Sequence, residues 1–337
     1  MGILEITPLI GCDNSCEYCP QVTLIKQYKE KCGTNKEMSL DQFKQYIDTV
    51  PTSIDLHFTG YVEPLFAKDT PEMINYAYKK GHKVMLNTTL MGLTKKMWKD
   101  FEKNVKFKSV HFHLPSGSYD EMIGVSNNKE KYIHDGKEYK KISPEYIEMV
   151  KYVLKNAQYD IDGNPPSFHA HGDIHPQLKK LQKPNILKKV LLKLQKLNLA
   201  SDNWIFRNLL IISERDINSR AMNILLEKKD KVPEKQNIRG KCPRVTQNVL
   251  LPDGHLALCC QDYGLDALMG NLSKQTWSEY QNSKRAKDVF QNGDDLCDYC
   301  EEGLSYVDDT TWGQWRRLKN SPKNSKTPVN ISIQSKN

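Results

Sequence analysis

The chain has 337 residues, 27% of them charged and 38% hydrophobic, and 49 lysines and arginines against 41 acidic residues leave a formal charge of +8. No apolar run approaches the ~18–20 residues of a membrane span, and no internal repeat or nucleic-acid motif is present, so neither a membrane nor a nucleic acid is expected as partner. The excess charge lies in lysine runs such as "LKKLQKPNILKKVLLKLQKL" at 178–197, which read as a solvated amphipathic face, and the length predicts one large domain with a smaller one after it.

In chain order, the first strand is predicted at 3–8. "LIGC" at 9–12 has the shape of a lipoprotein cleavage box, but "MGILEITP" has no basic segment and carries Glu5, which argues against a signal peptide. Gly2 without Ser or Thr at position 6 also fails the myristoylation pattern. A cytoplasmic location is therefore expected, and clustered cysteines in a reducing compartment read as metal ligands or redox centres. "MSLDQFKQYIDTV" (38–50) is a helix with Ser39 or Asp41 as its cap. "TPEMINYAYKKG" (70–81) is another, with Thr70 as cap, Pro71 in the first turn and Gly81 as stop. Further strands are predicted at 53–59, 82–88, 108–114, 167–172 and 204–212. Strands alternating with helices predict a parallel α/β sheet. Later, "LPDGHLAL" is a hairpin with Asp-Gly at its turn, carrying Cys259 or Cys260 on its second strand, and "LSKQTWSEY" is a helix. "DDTTWGQWRRLKN" (308–320) closes the second domain, and the polar "SPKNSKTPVNISIQSKN" after it reads as a mobile tail.

Alternate residues of a strand share a face. That parity groups Asp55, His57 and Thr59, then Asn87 and Thr89, then His111 and His113, then His169, His171 and Asp173. Hydrogen-bonding groups turned inward are costly unless something satisfies them, which points to a hydrophilic ligand. A zinc or iron site on His111, His113, His169 and His171 is an alternative, against which stands the lack of an arranged carboxylate.

The nine cysteines fall into two groups, with Cys32 alone as a spare thiol. Cys12, Cys16 and Cys19 form "GCDNSCEYCP"; Cys242, Cys259, Cys260, Cys297 and Cys300 come more than two hundred residues later. A structural zinc site takes four ligands, and the first group supplies three. On a four-iron cluster, three thiolates leave one iron open for chemistry.

The C-x₃-C-x₂-C spacing resembles the signature of the radical S-adenosylmethionine (radical SAM) enzymes. The resemblance implies a partial (β/α)₆ TIM-like barrel, followed by a small α+β accessory domain with a β-hairpin. It also implies a catalytic [4Fe-4S] cluster on Cys12, Cys16 and Cys19, whose open iron chelates S-adenosyl-L-methionine. One electron then cleaves SAM to a 5′-deoxyadenosyl radical that takes a hydrogen atom from the substrate. "FTGYVEPL" (58–65) resembles the family's Gly-Gly-Glu-Pro stretch, which would bring Gly60 and Glu63 to the SAM amino group, although Tyr61 and Val62 stand where a glycine is common. "VMLNTTL" (84–90) resembles the Thr-Asn-Gly motif with Asn87 in place. "HFHLPSGSYDEMIG" (111–124) would set Ser116 at the SAM ribose, and Tyr18 would lie near adenine.

The second group resembles the twitch/SPASM accessory domain, implying one auxiliary [4Fe-4S] cluster on Cys242, Cys259, Cys297 and Cys300. The Gly-x₄-Cys spacing from Gly254 selects Cys259 over Cys260; on spacing alone a structural zinc site stands level. Domain boundaries follow as core 1–215, accessory domain 216–317 and tail 318–337. The expected function is oxidoreduction: hydrogen abstraction from a polar substrate, as a two-electron, dehydrogenase-type oxidation of a small carbohydrate or aminosugar-like molecule. A substrate of that kind is favoured by the polar strand faces and by the lack of a peptide-recognition extension before the first strand. His57, His111, His113, His169, His171, Arg207 and Arg220 are the candidate substrate contacts, and a flavodoxin or ferredoxin is the expected electron donor. The alternatives are a peptide-modifying maturase and a non-catalytic iron–sulfur or zinc protein.

Overall fold

The computed structural model describes residues 2–126, 130–156, 160–161, 166–181, 212–215, 225–226, 242–300 and 331–332. The chain begins with β1 (Ile3–Ile6), α1 (Gln21–Lys31), α2 (Leu40–Ile47) and β2 (Asp55–Phe58). After a 3₁₀ turn at Pro64–Phe66 come α3 (Thr70–Lys80), β3 (Val84–Thr88), α4 (Lys95–Asn104) and β4 (Ser109–His113). Next are β5 (Lys131–His134), β6 (Lys137–Lys140), α5 (Pro144–Asn156), β7 (Ser167–His171), α6 (Pro176–Lys179) and β8 (Ile212–Arg215). The last part holds β9 (Leu225–Leu226), β10 (Val249–Leu250), β11 (His255–Ala257), β12 (Leu268–Asn271), helices Trp277–Asn282 and Lys284–Asn292, and β13 (Ile331–Ser332), which pairs with β9.

Two compact units result: Met1–Cys12, Tyr18–Val62 and Asn218–Asn337 form one, Asp13–Glu17 and Glu63–Ile217 the other. In the first, the strand order is β12-β11-β10-β1-β2. β1 runs parallel to both β2 and β10, with Glu5 opposite His57 and Val249. The β10–β11 hairpin is antiparallel, as the Asp-Gly signal predicts. Helix α2 packs Phe43 against Phe58 of β2, ring centroids 5.8 Å apart. Its start is a capping box: Ser39 Oγ accepts the Gln42 amide at 3.2 Å while Gln42 accepts the Ser39 amide at 3.0 Å.

In the second unit, β3-β4-β7-β8 are all parallel. One face is apolar: Trp98 of α4 meets Phe112, and Phe112 meets Phe168, with centroids 5.7 and 4.8 Å apart. Asp69, not Thr70, occupies the α3 cap position, and Thr70 instead donates to the Pro64 carbonyl at 2.7 Å. Gly81 ends the helix with φ at 102°. The β5–β6 hairpin has no counterpart in the sequence reading, because its strands are short, charged and largely exposed. Its turn signal was present nonetheless: Asp135 and Gly136 both take positive φ, 50° and 74°, as a type I′ turn demands. Most of the strand expected at 204–212 lies outside the described residues, and β8 begins at Ile212.

Candidate functional site

The first three cysteines lie on the stretch between β1 and α1, and each is half-buried. Cys12 and Cys19 belong to the first unit, where Gln21 Nε2 donates to Cys19 Sγ at 3.6 Å and the thiol reaches the Tyr263 hydroxyl at 3.8 Å. Tyr18 beside it is buried. Cys16 belongs to the second unit, its thiol 3.9 Å from the Asn14 carbonyl oxygen.

Gly60 follows β2 and has no room for a side chain. Its φ is +83°, and a Cβ there would overlap Thr7 Oγ1 and crowd Val249 Cγ1. Thr7 Oγ1 accepts the Tyr61 amide at 3.2 Å, fixing the backbone at the stretch that the sequence singles out.

Glu63 is buried in the second unit, and four donors converge on its carboxylate. The Leu65 amide and Thr88 hydroxyl reach Oε1 at 3.1 and 2.9 Å, and the Thr89 amide and hydroxyl reach Oε2 at 2.5 and 2.6 Å. Burial pushes its pKa up to about 7, against the downward pull of the Thr89, Leu65 and Thr88 bonds. Thr89 is held in turn by Asn14 Nδ2, which donates to its hydroxyl at 3.1 Å, and by the Tyr146 hydroxyl, which donates to its carbonyl at 2.7 Å. Thr88 and Thr89, where the family motif usually differs, thus become the scaffold of Glu63.

The polar parity of the second unit is realised as rows across the sheet. Asn87 stands opposite His111, and His111 opposite Ser167, whose hydroxyl meets the His111 Nδ1. His113 stands opposite His169 with rings stacked at 5.2 Å, and His171 meets His113 edge-on at 4.7 Å. Glu121, which the sequence reading missed, is buried beside them: Oε1 lies 3.8 Å from His113 Nε2, and Oε2 accepts the Ser116 amide at 3.0 Å. A lone acid in a loop carries no periodic signal, so only the fold reveals it. Ser116 donates to the His171 carbonyl at 2.6 Å and accepts the Ser118 and Tyr119 amides, so its hydroxyl stitches the turn. Asp173, grouped with the histidines by parity, lies beyond the end of β7 and is exposed. His57 is half-buried on β2 of the other unit, and Arg207 and Arg220 lie outside the described residues.

The later cysteines all lie in the first unit. β11 ends at Ala257, so Cys259 and Cys260 sit past the strand rather than on its two faces. Their surroundings differ. Cys260 packs against the apolar cluster of Tyr61, Leu251 and Tyr263 and accepts from Arg244 Nη1 at 3.5 Å. Cys259 is buried, and its thiol is held well above its usual range by burial, then by the Cys260 sulfur, with Cys300 and Asp262 acting the same way. Burial likewise raises Cys297, with Cys242 among its neighbours. Tyr61 anchors this loop by donating to the Cys259 and Asp262 carbonyls at 2.8 and 3.1 Å.

Residues 6–158 match the family model of the radical SAM superfamily, and residues 242–302 match that of an iron–sulfur cluster-binding domain, SPASM. The chain carries a radical SAM domain followed by a SPASM domain. Its fold is accordingly the open, partial α/β barrel with a C-terminal accessory region, and its cofactors are a [4Fe-4S] cluster and SAM, with auxiliary iron–sulfur binding by the SPASM domain. No curated protein matches the chain. Among solved structures it is similar to BtrN in complex with AdoMet and 2-DOIA, at 12% identity and TM-score 0.47, covering 89% of this chain and 93% of that one. It is also similar to native anSMEcpe with bound AdoMet, at 13% identity and TM-score 0.47, with 94% and 99% covered. A third is Streptococcus suis SuiB bound to precursor peptide SuiA, at 12% identity and TM-score 0.45, with 89% and 70% covered.

The donor sets of this radical SAM chain fit those groups. The later thiols are buried or half-buried, and neutral thiols in such surroundings become thiolates when a metal is beside them. Glu63 offers a buried carboxylate, fixed at both oxygens, to a cationic amine.

Proposed function

We propose that the chain is a radical SAM oxidoreductase acting on a polar substrate. Cys12, Cys16 and Cys19 would hold the catalytic cluster, and Cys242, Cys259, Cys297 and Cys300 an auxiliary one. When bound, the cluster and SAM supply the electron and the 5′-deoxyadenosyl group that abstract a hydrogen atom from the substrate. The chain's own residues bind and orient. Glu63, braced by Leu65, Thr88 and Thr89, takes the SAM amino group, Gly60 keeps the neighbouring backbone open, and Tyr18 borders the adenine. Asn87 is a further SAM contact, and Ser116 meets the SAM ribose from the turn that its hydroxyl stitches.

Cys259 is taken as the ligand on its Gly-x₄-Cys spacing from Gly254 and on its buried thiol, which has Cys300 among the groups acting on it. The core would span 1–215, the accessory domain 216–317 and the tail 318–337.

One observation carries the substrate class: the His113–His169–His171 group with the buried Glu121 carboxylate at its edge. Such a cluster offers hydrogen-bonding groups that hydroxyls and amines can use and an apolar ligand cannot. A small carbohydrate or aminosugar-like molecule fits it: in a two-electron oxidation its hydrogen atom would go to the 5′-deoxyadenosyl group, the accompanying proton to Glu121 or a histidine, and the second electron to the auxiliary cluster. The test is anaerobic incubation of the reduced, reconstituted protein with SAM and a panel of polyols, aminosugars and short peptides. Formation of 5′-deoxyadenosine with a product two hydrogens lighter from a polyol or aminosugar is the expected outcome. Turnover of peptides alone would move the reading to a maturase, and no 5′-deoxyadenosine at all would overturn it.

A further inference from the structure

Cys32, the cysteine that stands apart from both groups, does not stand apart in space. It follows α1 as its C-terminal cap residue, and its thiol meets the turn of the β10–β11 hairpin. One ligand atom each from Cys32, Asp253 and His255 lie within 4.8 Å of one another, and all three residues are half-buried. From this convergence we propose a mononuclear zinc site, separate from the seven cysteines assigned to clusters.

The donors suit that ion. Thiolate, imidazole and carboxylate are the three ligand types zinc takes, at about 2.3, 2.0–2.1 and 2.0–2.2 Å. On those bond lengths, tetrahedral ligands stand roughly 3.3–3.8 Å apart, so only small side-chain movements separate the present geometry from a bound one. Partial exposure leaves a fourth position for water. The softness of the thiol selects against magnesium and calcium, which take oxygen donors.

Both sides of the site are held in place. Below, the Cys32 and Gly33 amides both donate to the Tyr28 carbonyl, at 2.9 and 3.0 Å, and Cys32 packs on the apolar cluster that includes Ile10, Leu24 and Tyr28. Above, Gly254 takes φ +92°, and a Cβ on it would strike Asn271 Oδ1 and the Ser273 amide. The turn is also closed by the Gly254 amide on the Leu251 carbonyl at 3.0 Å. Asp253 Oδ2 already lies 2.6 Å from His255 Nδ1, so the two hairpin donors face each other before any cation arrives. A ligand set fixed by its own scaffold loses little freedom on binding. Binding releases the thiol proton to solvent and exchanges the Asp253–His255 hydrogen bond for metal bonds, the imidazole staying neutral with its one proton on the nitrogen turned away from the ion; no electron moves.

The inference does not depend on the substrate reading. To test it, the full-length protein is reconstituted anaerobically with iron and sulfide, incubated with zinc sulfate and desalted. Iron and zinc per chain are then measured, with zinc K-edge X-ray absorption on the same sample. The expected result is about one zinc per chain with a first shell of one sulfur and otherwise nitrogen and oxygen. Cys32→Ser and His255→Ala should each lose most of that zinc, at least about fivefold, while iron per chain stays at the wild-type value, which also reports that the variants fold. Zinc washed from the wild type by desalting, a shell of three or four sulfurs, or zinc kept in both variants would overturn the site. The absorption shell of the wild type decides the matter even where a variant fails to fold.

Discussion

Thr89 donates both its amide and its hydroxyl to one oxygen of Glu63. The pair turns the residue after β3 into the brace of a buried carboxylate, and Asn14, from the cysteine stretch, holds the same hydroxyl.

If Glu63 receives the SAM amino group, Glu63→Ala should weaken SAM binding about 30-fold or more, in keeping with ~2 kcal/mol for a charge-assisted hydrogen bond. Thr89→Val should weaken it less, by removing one of the four braces. Anaerobic equilibrium binding on protein of wild-type iron content reads this out; unchanged affinity in Glu63→Ala would remove the residue from the SAM site.

The two adjacent cysteines should separate cleanly in iron content. With both clusters present the chain holds about eight irons. Cys259→Ala should fall towards about four, and Cys260→Ala should stay near the wild-type value. The opposite pattern would transfer the ligand role to Cys260.

Gly60→Ala puts a methyl group against Thr7 Oγ1 at a φ of +83°. A loss of roughly 2 kcal/mol or more is expected from backbone strain and overlap together, measured by denaturant unfolding. A loss under about 0.5 kcal/mol would mean that the strand end relaxes freely.

His175 supplies a pH dependence with a clear sign. Its Nδ1 accepts the Gln177 amide at 3.2 Å and its Nε2 donates to the Lys140 carbonyl at 3.0 Å. Burial lowers its pKa to about 4, against a smaller upward effect of the Lys140 bond. The unfolded chain therefore binds this proton first, so the contribution is complete above about pH 6.5 and is lost as pH falls towards 4. The loss across that window is about 3 kcal/mol. His175→Gln should unfold with a flatter profile between pH 6.5 and 4; an equally steep one would show that other groups dominate.

Much of this molecule is written in short-range patterns. The C-x₃-C-x₂-C spacing, the Ser39–Gln42 capping box, the Asp-Gly hairpin turn and the alternation of polar residues on β4 and β7 each depend on residues within a few positions of one another. Local geometry enforces them before any tertiary contact forms, so the parallel α/β class, the two cysteine groups and the polar strand faces could be read from the chain itself. The Asp135–Gly136 turn was equally local, but its charged, exposed strands lacked the apolar alternation that marks a hairpin.

What remained undecided depended on residues far apart in sequence. The different surroundings of Cys259 and Cys260 are set where β11 ends, and by the apolar cluster that Cys260 packs against. Glu121 becomes a partner of His113 only because the loop after β4 folds back over the strand. Cys32 looked like a spare thiol until the β10–β11 turn brought Asp253 and His255 beside it. Spacing along the chain determines which donors are available; the packing of distant elements decides which of them meet.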